Sequence, residues 1–362
     1  MADAIHFIGL LKSPVSWAKV GRELVRALVR EGAHVSAVSL KGYLYGDAFP
    51  LEPEVEEAVG RERREGWDLA LEYPPNFARL NGKRRAGIVI YEADRLPAHW
   101  ARPIARDIER VIVPSAFCRD AAAASGVPAE RIAVAPFGVD TDVYTPTGEA
   151  ERAATGRAFN FLTVGAPHVR KGLAEAVAAF VLAFQAGEDV GLVIKCPPLQ
   201  GVGRRPWEYK DVAGLVPGER KGQIVIVEGA LGEKEMARLY RGADAYIQAS
   251  YGEAFGLAAV EAAACGRPVI TTNWGAAGEI FDEGNAYLVQ YGLVDAAEMC
   301  YDWRGSEMAR MARPNVSHLA EMMRRAHADA GERARVAQAA LAKARTLTWK
   351  ESARKVIEAL AG

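Results

Sequence analysis

The sequence predicts an α/β protein built from two doubly wound domains. Short apolar runs rich in β-branched residues alternate with helical patterns along most of the 362 residues. The alternation stops over residues 138–160, which are rich in Gly, Thr, Pro and charge, and then restarts. Repeated strand–helix–strand units predict parallel sheets covered by helices, and 362 residues are enough for two of them.

The first half contains the first set of these units. Residues 4–11 predict a buried strand, and residues 16–31 predict a helix that ends at Gly32. A second helix is predicted over 117–125, with Ser115 as its cap. Further strands are predicted over 33–40, 69–73, 86–92, 110–115 and 132–137.

The second half repeats the pattern. Strands over 159–165 and 190–196 flank a helix over 172–185, and residues 314–362 are mostly helical. Further strands, separated by helices, are predicted over 224–229, 245–250 and 268–272. In doubly wound sheets, ligands bind outside the carboxyl ends of the strands, so we expect the site in a cleft there.

Composition excludes several classes of protein. The net charge of −1 gives no electrostatic reason to expect a nucleic-acid partner. Four cysteines lie far apart and form no CxxC, which is typical of reduced core thiols. The N-terminus lacks the pattern of a signal peptide, and no apolar run has the length of a transmembrane helix. We therefore expect a cytoplasmic protein.

The segment YGEAFGLAAVEAAACGRPVITT (251–272) predicts a strand–loop–helix site. A strand ends at Ser250, and a helix begins near Ala254 or Phe255, where free N–H groups and the helix dipole suit a phosphate. Gly256 would let a ligand approach the backbone. Glu253 just before the first turn is either a ligand-binding residue or a common helix-start carboxylate.

Glu261 lies deeper in the same helix, among apolar and small residues. A helix that is apolar all round is buried, and a buried carboxylate needs a partner. Arg267 is one candidate, through an ion pair. We favour a pair of ligand hydroxyls, because these would satisfy the carboxylate without burying a second charge.

The chain resembles glycosyltransferase family 4, whose members have the GT-B fold. The E-x7-E pair followed by ACGRPVITTNWGAAGEI (264–280) closely resembles the nucleotide-sugar signature of that family. The resemblance extends over nearly the whole chain. Its other parts are residues 112–146, 161–180, 242–257 and 312–324.

The resemblance implies two doubly wound Rossmann-like domains whose parallel sheets face a cleft. An acceptor-side domain would cover residues 1–150 plus a C-terminal helix at about 346–362, and a nucleotide-sugar-binding domain would cover 151–345. The implied reaction is hexosyl transfer, with retention, from a nucleoside-diphosphate sugar to a hydroxyl of a sugar, lipid or small molecule. We expect no cofactor and no metal, and closure of the domains to exclude water.

The family also suggests residue roles. Glu261 would bind ribose hydroxyls and Glu253 hydroxyls of the donor sugar, while Lys171, helped by Arg170, would neutralise the diphosphate. The backbone N–H groups of Phe255, Gly256 and Leu257 would contact sugar and phosphate. The remaining donor-side candidates are Glu228, Gly229 and Leu231, near the expected base, and Trp274.

Two of these roles have plain alternatives. Lys171 would otherwise be a solvated lysine at a helix start, which opposes the helix dipole. Trp274 would stack on a sugar or base, or pack within its own loop.

The sequence departs from the family at three places. The usual arginine after the first strand of the C-terminal domain is replaced by Ala166. The usual histidine falls near Glu92, and Glu92 and Asp94 at the end of a strand would instead contact substrate hydroxyls, unless Asp94 caps a turn. The usual glycine-rich loop near the N-terminus is replaced by LLKSPVSWAKVG, and the acceptor-side candidates are Gly9, Ser16, Trp17 and Asp94.

Other interpretations remain open at this point. A nucleotide-sugar epimerase on a related fold is one, and a catalytically degenerate partner subunit that binds nucleotide is another. The DxD of Asp140 and Asp142 lies in the linker and predicts a turn rather than a metal site. Arg22, Arg26 and Arg30 are spaced as a basic ridge, which predicts a solvated face or a weak peripheral membrane contact.

Overall fold

The computed structural model describes residues 4–41, 49–72, 75, 77–152, 155–198, 208–298 and 309–362. The chain forms two compact units. The N-terminal unit is Met1–Gly138 with Leu347–Gly362, and the C-terminal unit is Val139–Thr346.

The junction between the units lies before the boundary at 150/151 that the sequence suggests. The segment after Gly138 packs on the C-terminal unit, where Tyr144 donates a hydrogen bond to Glu233 (2.6 Å). Farther along, the N–H of Glu151 donates to the carbonyl of Arg238 (2.9 Å). These bonds tie the segment to the C-terminal unit.

The N-terminal unit contains a parallel sheet with helices. Its strands are β1 Ala4–Leu10, β2 Val35–Leu40, β3 Gly66–Leu71, β4 Arg84–Ile88, β5 Arg110–Val113 and β6 Ile132–Val134. Its helices are α1 Ser16–Arg30, α2 Pro53–Gly60, α3 Ala98–Asp107, α4 Ala116–Ala124 and α11 Trp349–Ala361. The strand order is β2-β1-β3-β4-β5-β6.

The last helix of the chain, α11, packs against this N-terminal sheet. The indole of Trp67 on β3 donates to the carbonyl of Leu360 (2.9 Å), and Arg110 on β5 donates to the carbonyl of Ala359 (3.1 Å). Phe137 stacks on Trp349 with ring centroids 6.0 Å apart. Both ends of α11 are therefore held by the N-terminal unit.

The C-terminal unit contains a second parallel sheet and an antiparallel hairpin. Its strands are β7 Phe159–Val164, β8 Val190–Cys196, β9 Ile224–Glu228, β10 Ala245–Gln248, β11 Val269–Thr272, β12 Tyr287–Val289 and the hairpin strands β13 Tyr291–Asp295 and β14 Arg310–Pro314. Its helices are α5 Leu173–Ala183, α6 Glu233–Gly242, α7 Leu257–Ala264, α8 Ala277–Ile280, α9 Val316–Ala328 and α10 Ala330–Thr346.

The order of this second sheet is β12-β11-β10-β7-β8-β9. The chain winds outward from β7 on one side and then continues from β10 on the other, so the order reverses between β7 and β10. Such a reversal is where doubly wound sheets bind ligands. The prediction of two doubly wound parallel-sheet units is confirmed.

Several element ends differ from the sequence prediction. The strands predicted to end at 92 and 137 end at Ile88 and Val134, and the residues that follow them remain largely buried without continuing the strand. The helix predicted from Ala254 or Phe255 begins at Leu257, because Gly256 has a φ of +84° and breaks the helical path. An apolar run therefore marks burial more reliably than it marks the end of an element.

The basic ridge predicted on α1 does not form a continuous exposed surface. Arg22 is only 3 % exposed and donates to the carbonyls of Leu11 (2.8 Å) and Ser13 (2.9 Å). Arg26 pairs with Glu23, and Arg30 pairs with Glu54. Both the solvated-face and the membrane-contact interpretations are wrong for Arg22. No helix in the described part of the chain is long and apolar enough to cross a bilayer.

Candidate functional site

Two loops meet where β7 and β10 end, at the reversal of strand order in the C-terminal sheet. After β7 the chain makes a 3-10 turn over Val169–Lys171 and then passes Gly172, whose φ is +65°. A Cβ on Gly172 would lie 1.8 Å from the carbonyl oxygen of Ala249, so only glycine permits this approach. The N–H of Tyr251 donates to the carbonyl of Arg170 (2.8 Å) and fixes the two loops together.

This approach places Glu253 among two cations and a hydroxyl. The Nζ of Lys171 lies 2.7 Å from Oε1 of Glu253, and the Oγ of Ser250 donates to the same oxygen (2.8 Å). Arg170 lies 3.6 Å from that oxygen and donates to the carbonyl of Gly252 (2.6 Å). The structure therefore brings together Glu253, Lys171 and Arg170, the three catalytic candidates from the C-terminal unit.

The charge state of Glu253 follows from these contacts. Burial raises the pKa of a carboxyl group, but the charges of Lys171 and Arg170 and the hydrogen bonds from Lys171 and Ser250 outweigh it. The net result is a pKa of Glu253 below its usual value. Glu253 is therefore an anion at neutral pH and accepts hydrogen bonds.

The helix that follows, α7, begins without a side-chain cap. Its N-cap is Gly256, which has no side chain to accept from the first N–H groups of the helix. The N-terminus of a helix carries about half a positive charge. Lys171, Arg170 and Glu253 add one net positive charge beside it. We call these three side chains and the N-terminus of α7 the charged corner. Its positive charge attracts an anion.

Glu261 is buried one turn into α7 and is 6 % exposed. Tyr240 on α6 donates its hydroxyl to Oε2 of Glu261 (3.0 Å). Burial, followed by the charge of Glu261, raises the pKa of Tyr240 well above its usual value, so the hydroxyl stays protonated as the donor. The guanidinium of Arg267 donates to the carbonyls of Cys265 (3.2 Å) and Ala243 (2.9 Å), so it is not directed at Glu261.

A chain of tyrosines connects Glu261 with the start of α6. The ring of Tyr240 packs on Tyr144 with centroids 6.0 Å apart, and Tyr144 donates to Glu233 in the first turn of α6 (2.6 Å). Burial, and then the charges of Glu261 and Glu233, raise the pKa of Tyr144. The two tyrosine side chains therefore connect the carboxylate of Glu261 on α7 with that of Glu233, which follows the loop between β9 and α6.

The remaining donor-side candidates line neighbouring loops of the same unit. Glu228 is the last residue of β9 and is exposed, and Gly229 and Leu231 follow it in the loop. Trp274 follows β11 and is half-buried. In the loop of Trp274, the N–H of Ala276 lies 3.4 Å from the carbonyl of Glu253 and connects that loop with the charged corner.

The acceptor-side candidates and Glu92 lie in the N-terminal unit. β4 ends at Ile88 and not at residue 92 as predicted, so Glu92, which is buried, and Asp94 lie in the segment that follows the carboxyl end of the strand. Gly9 lies inside β1, where a Cβ would come within 2.9 Å of the ring of Phe7, so its packing alone requires glycine. Ser16 and Trp17 are the first residues of α1.

The linker DxD forms the turn that the sequence predicts. The carboxylate of Asp140 accepts from the N–H of Asp142 (3.0 Å), and the carbonyl of Asp140 accepts from the N–H of Tyr144 (2.8 Å). Both bonds are local to the turn.

Sequence reasoning missed several residues of this site. Ser250 and Tyr240 hold the two glutamates, and Gly172 makes the close approach of the loops possible. Lys195, a buried lysine at the end of β8, was also missed. It had a signal in the sequence, since it is the one charged residue in the apolar strand VGLVIKC.

Together, the two doubly wound units and the charged corner define a protein of the GT-B class. Residues 158–301, all of them in the C-terminal unit, match the family model of Glycosyl transferases group 1. The prediction of a glycosyltransferase is supported at this level.

Curated relatives and solved structures agree with this class. The chain is 29 % identical over 182 residues to D-inositol 3-phosphate glycosyltransferase from Arthrobacter sp. (strain FB24), which covers 48 % of this chain and 42 % of that protein. It is also 29 % identical to the serotype-specific mannosyltransferase WbdA of Escherichia coli, over 49 % of this chain and 22 % of that protein. The chain spans about half the length, or less, of the curated relatives it matches.

The fold is similar to that of solved GT-B structures over nearly its whole length. Anabaena Alr3699/HepE in complex with UDP and glucose has a TM-score of 0.67 at 15 % identity, over 99 % of both chains. Sucrose-phosphate synthase from Thermosynechococcus elongatus has a TM-score of 0.68 at 18 % identity, over 98 % of this chain and 97 % of the other. These likenesses confirm the predicted GT-B fold.

Proposed function

We propose that this protein is a retaining glycosyltransferase that moves a sugar from a nucleoside-diphosphate sugar to a hydroxyl acceptor. The observation that carries the proposal is the charged corner of Lys171, Arg170 and Glu253 at the uncapped start of α7. It provides a site for an anion beside a carboxylate that accepts hydrogen bonds.

Each group in this corner has a role in the proposed reaction. The diphosphate lies against the N-terminus of α7 and Lys171, which stabilise the negative charge that develops as it leaves. Glu253, ionised at neutral pH, accepts from hydroxyls of the donor sugar. Glu261, buried and held by Tyr240, accepts from the ribose hydroxyls.

The proposed transfer needs no strong protein base and no metal. With retention, the leaving diphosphate can itself accept the proton of the attacking hydroxyl. Lys171, Arg170 and the helix dipole supply the positive charge that a divalent cation would otherwise bring. The protein then contributes positioning and charge stabilisation. The acceptor-side role of Gly9, Ser16, Trp17 and Asp94, and a catalytic role for Glu92, remain predictions from the sequence.

The first test is thermal unfolding with UDP, GDP, ADP, TDP and CDP and their common sugar conjugates, with a metal chelator present. A ligand at a hundredfold above its Kd stabilises by about 2.7 kcal/mol. UDP-glucose is included because a HepE structure of similar fold contains it. No response to any of them at millimolar concentration would remove the proposal.

The second test is release of the nucleoside diphosphate from the responding donor with a panel of hydroxyl acceptors. Inositol phosphates and mannosides belong in the panel, because the names of the relatives include an inositol-phosphate glycosyltransferase and a mannosyltransferase. Retention is read from the anomeric configuration of the product. Donor conversion to another sugar nucleotide without acceptor would favour the epimerase, and binding without turnover would favour the partner subunit.

A further inference from the structure

A cavity of about 330 Å³ lies between β12, α9 and α10 in the C-terminal unit. Tyr287 of β12 lines this cavity and is only 3 % exposed. Its hydroxyl is buried and has no hydrogen-bond partner in the described part of the chain. A buried tyrosine hydroxyl usually has a partner, and burying it without one is costly. The partner of Tyr287 is therefore to be sought in a molecule that enters the cavity.

The charged groups nearest to this hydroxyl pair with each other. The guanidinium of Arg325 donates to both oxygens of Glu332, and the bond from Nε to Oε2 is 2.8 Å long. Arg325 also lies 5.7 Å from the centre of the Tyr287 ring. Burial, followed by the charge of Glu332, raises the pKa of Tyr287 to about 12. The hydroxyl therefore stays protonated at neutral pH and is available as a donor.

Two further polar side chains line the same cavity. The Nδ1 of His318 accepts from the N–H of Gln290 (3.2 Å), so Nε2 carries the hydrogen of the neutral ring and is a donor. Glu283 is exposed and offers carboxylate oxygens as acceptors. The cavity thus presents neutral donors and a carboxylate acceptor to the same ligand.

A second cavity, of about 420 Å³, adjoins the first. Glu283, Leu288 and His318 line both of them. Tyr291, the first residue of β13, lines the second cavity and is 40 % exposed. Its ring gives a flat apolar surface that is open to solvent. A ligand that filled both cavities would extend from the hydroxyl of Tyr287 to the ring of Tyr291.

Three classes of ligand fit these walls poorly. An anion would meet the carboxylates of Glu283 and Glu332, and Arg325, the one guanidinium among the described lining residues of the first cavity, is already paired. An ammonium ion would suit the carboxylates but could not accept from Nε2 of His318. An apolar molecule would leave the hydroxyl and the imidazole N–H without partners.

We propose that the two adjoining cavities bind a neutral oligosaccharide. A sugar hydroxyl both donates and accepts, so it accepts from Tyr287 and His318 and donates to Glu283. The C–H faces of the sugar rings pack on Met322 in the first cavity and on Tyr291 in the second. Both volumes lie in the range of small-molecule sites, about 300–1,000 Å³. This site goes beyond the proposed function, because the sugar is bound here and not transferred.

The methyl group of Met322 reports on the first cavity, which it lines. The full chain is isotope-labelled at its methionine methyl groups, and Met322→Leu assigns the resonance. Maltose, cellobiose, lactose and chitobiose are titrated, beside glucose 6-phosphate and glucosamine as charged comparisons. We expect at least one neutral disaccharide to shift the Met322 resonance saturably at millimolar concentration.

Two results of this titration would overturn the proposal. A Met322 resonance that no neutral sugar moves would mean that the cavity holds water only. Tighter binding of glucose 6-phosphate or glucosamine than of every neutral sugar would contradict the class of ligand. The titration contains no nucleotide, so its outcome is separate from that of the nucleotide panel that tests the proposed function.

Tyr287→Phe removes only the hydroxyl that lacks a partner. The variant should be at least as stable as the wild type in thermal unfolding, and it should bind the responding disaccharide about fivefold more weakly. Tyr240→Phe is the matched comparison, because the hydroxyl of Tyr240 does bond to Glu261. It should lose stability and keep its affinity for the disaccharide. Binding by Tyr287→Phe with the wild-type affinity would contradict the proposal.

Glu283→Gln tests the site on an exposed side chain, where folding is not at risk. We expect it to weaken disaccharide binding by about threefold to fivefold, because the amide replaces a charged acceptor. The control is Glu219→Gln, an exposed glutamate of the same unit, which should bind as the wild type does. Equal affinities of Glu283→Gln and Glu219→Gln would overturn the placement of the sugar in these cavities.

Discussion

Replacing Lys171 by methionine tests the charged corner most directly. Lys171 and Glu253 have side chains that are 23 % and 13 % exposed, with charged atoms 2.7 Å apart. Removing one partner of a fully buried pair costs about 3–5 kcal/mol. Arg170 and Ser250 remain beside Glu253, so we expect a loss of about 1–2 kcal/mol from the free energy of unfolding.

The loss of stability caused by Lys171→Met should decrease as the pH is lowered. The pKa of Glu253 in the folded chain is lower than its ordinary value of 4.5. Its ion pair therefore contributes fully above that value, and the contribution is lost as the pH falls through the lowered folded pKa. The difference in stability between wild type and Lys171→Met should be largest at neutral pH and should shrink as the pH falls below 4.5.

Thermal unfolding of four proteins measures this coupling. The wild type, Lys171→Met, Glu253→Gln and the double variant form a cycle, and Lys221→Met serves as an exposed-lysine control. A loss of about 1–2 kcal/mol lowers the Tm by about 2–8 °C in a domain of this size. If Lys171→Met matches the control, or if the two substitutions add with no coupling, the reasoning about this corner fails.

Three further substitutions test other parts of the molecule. Tyr240→Phe removes the hydroxyl that holds Glu261 and should cost about 1–2 kcal/mol in urea unfolding, together with a several-fold loss of affinity for the nucleotide that the panel identifies. Gly256→Ala forces a φ of +84° on alanine and brings its Cβ within 3.1 Å of the Gln248 amide. It should cost about 1–2 kcal/mol by thermal unfolding. Arg22→Met leaves two buried carbonyls without their donor and should cost about 2–4 kcal/mol by urea unfolding.

Each of these substitutions has a control of the same type. Tyr291→Phe alters a tyrosine that is 40 % exposed, and Gly218→Ala places a Cβ where no atom lies within 4 Å. Arg30→Met breaks an exposed pair with Glu54 and should cost at most about 0.5 kcal/mol. A test substitution that is no more destabilising than its control contradicts the contact on which it rests.

Periodicity was enough to predict the sheets and most of the helices, because buried parallel strands are continuous apolar runs. It could not predict where β4 ends, since the residues after Ile88 are also buried. The hairpin of β13 and β14 was missed because its strands carry mixed polar and apolar residues without a clear alternation. The same limit applies to Arg22 on α1. The spacing of the arginines predicts which face of the helix Arg22 lies on, but not that the segment containing Leu11 and Ser13 covers that face.

The candidate site likewise contains residues that the sequence predicts and residues that it does not. Glu253, Lys171 and Arg170 were found because a motif places them, whereas Ser250 and Tyr240 were not, because their role is to hold a neighbour that is distant in sequence. A tyrosine on an amphipathic helix looks like any core aromatic until its hydroxyl is seen against a carboxylate. The approach of the two loops at Gly172 also depends on tertiary structure, since the clash it avoids is with Ala249 on another strand.

The pairing of Lys171 with Glu253 has a consequence for how a donor would be bound. Lys171 and Glu253 pair with each other, and this pairing offsets the cost of burying the two charges. A diphosphate at α7 would compete with Glu253 for Lys171, and the donor sugar would then offer hydroxyls to the carboxylate in exchange. A nucleoside diphosphate alone would bind Lys171 and leave Glu253 without a replacement partner. The intact sugar nucleotide would bind Lys171 through its diphosphate and Glu253 through its sugar hydroxyls. The intact donor should therefore bind more tightly than its diphosphate product, and this difference should disappear in Glu253→Gln, whose amide carries no charge to be left unpaired.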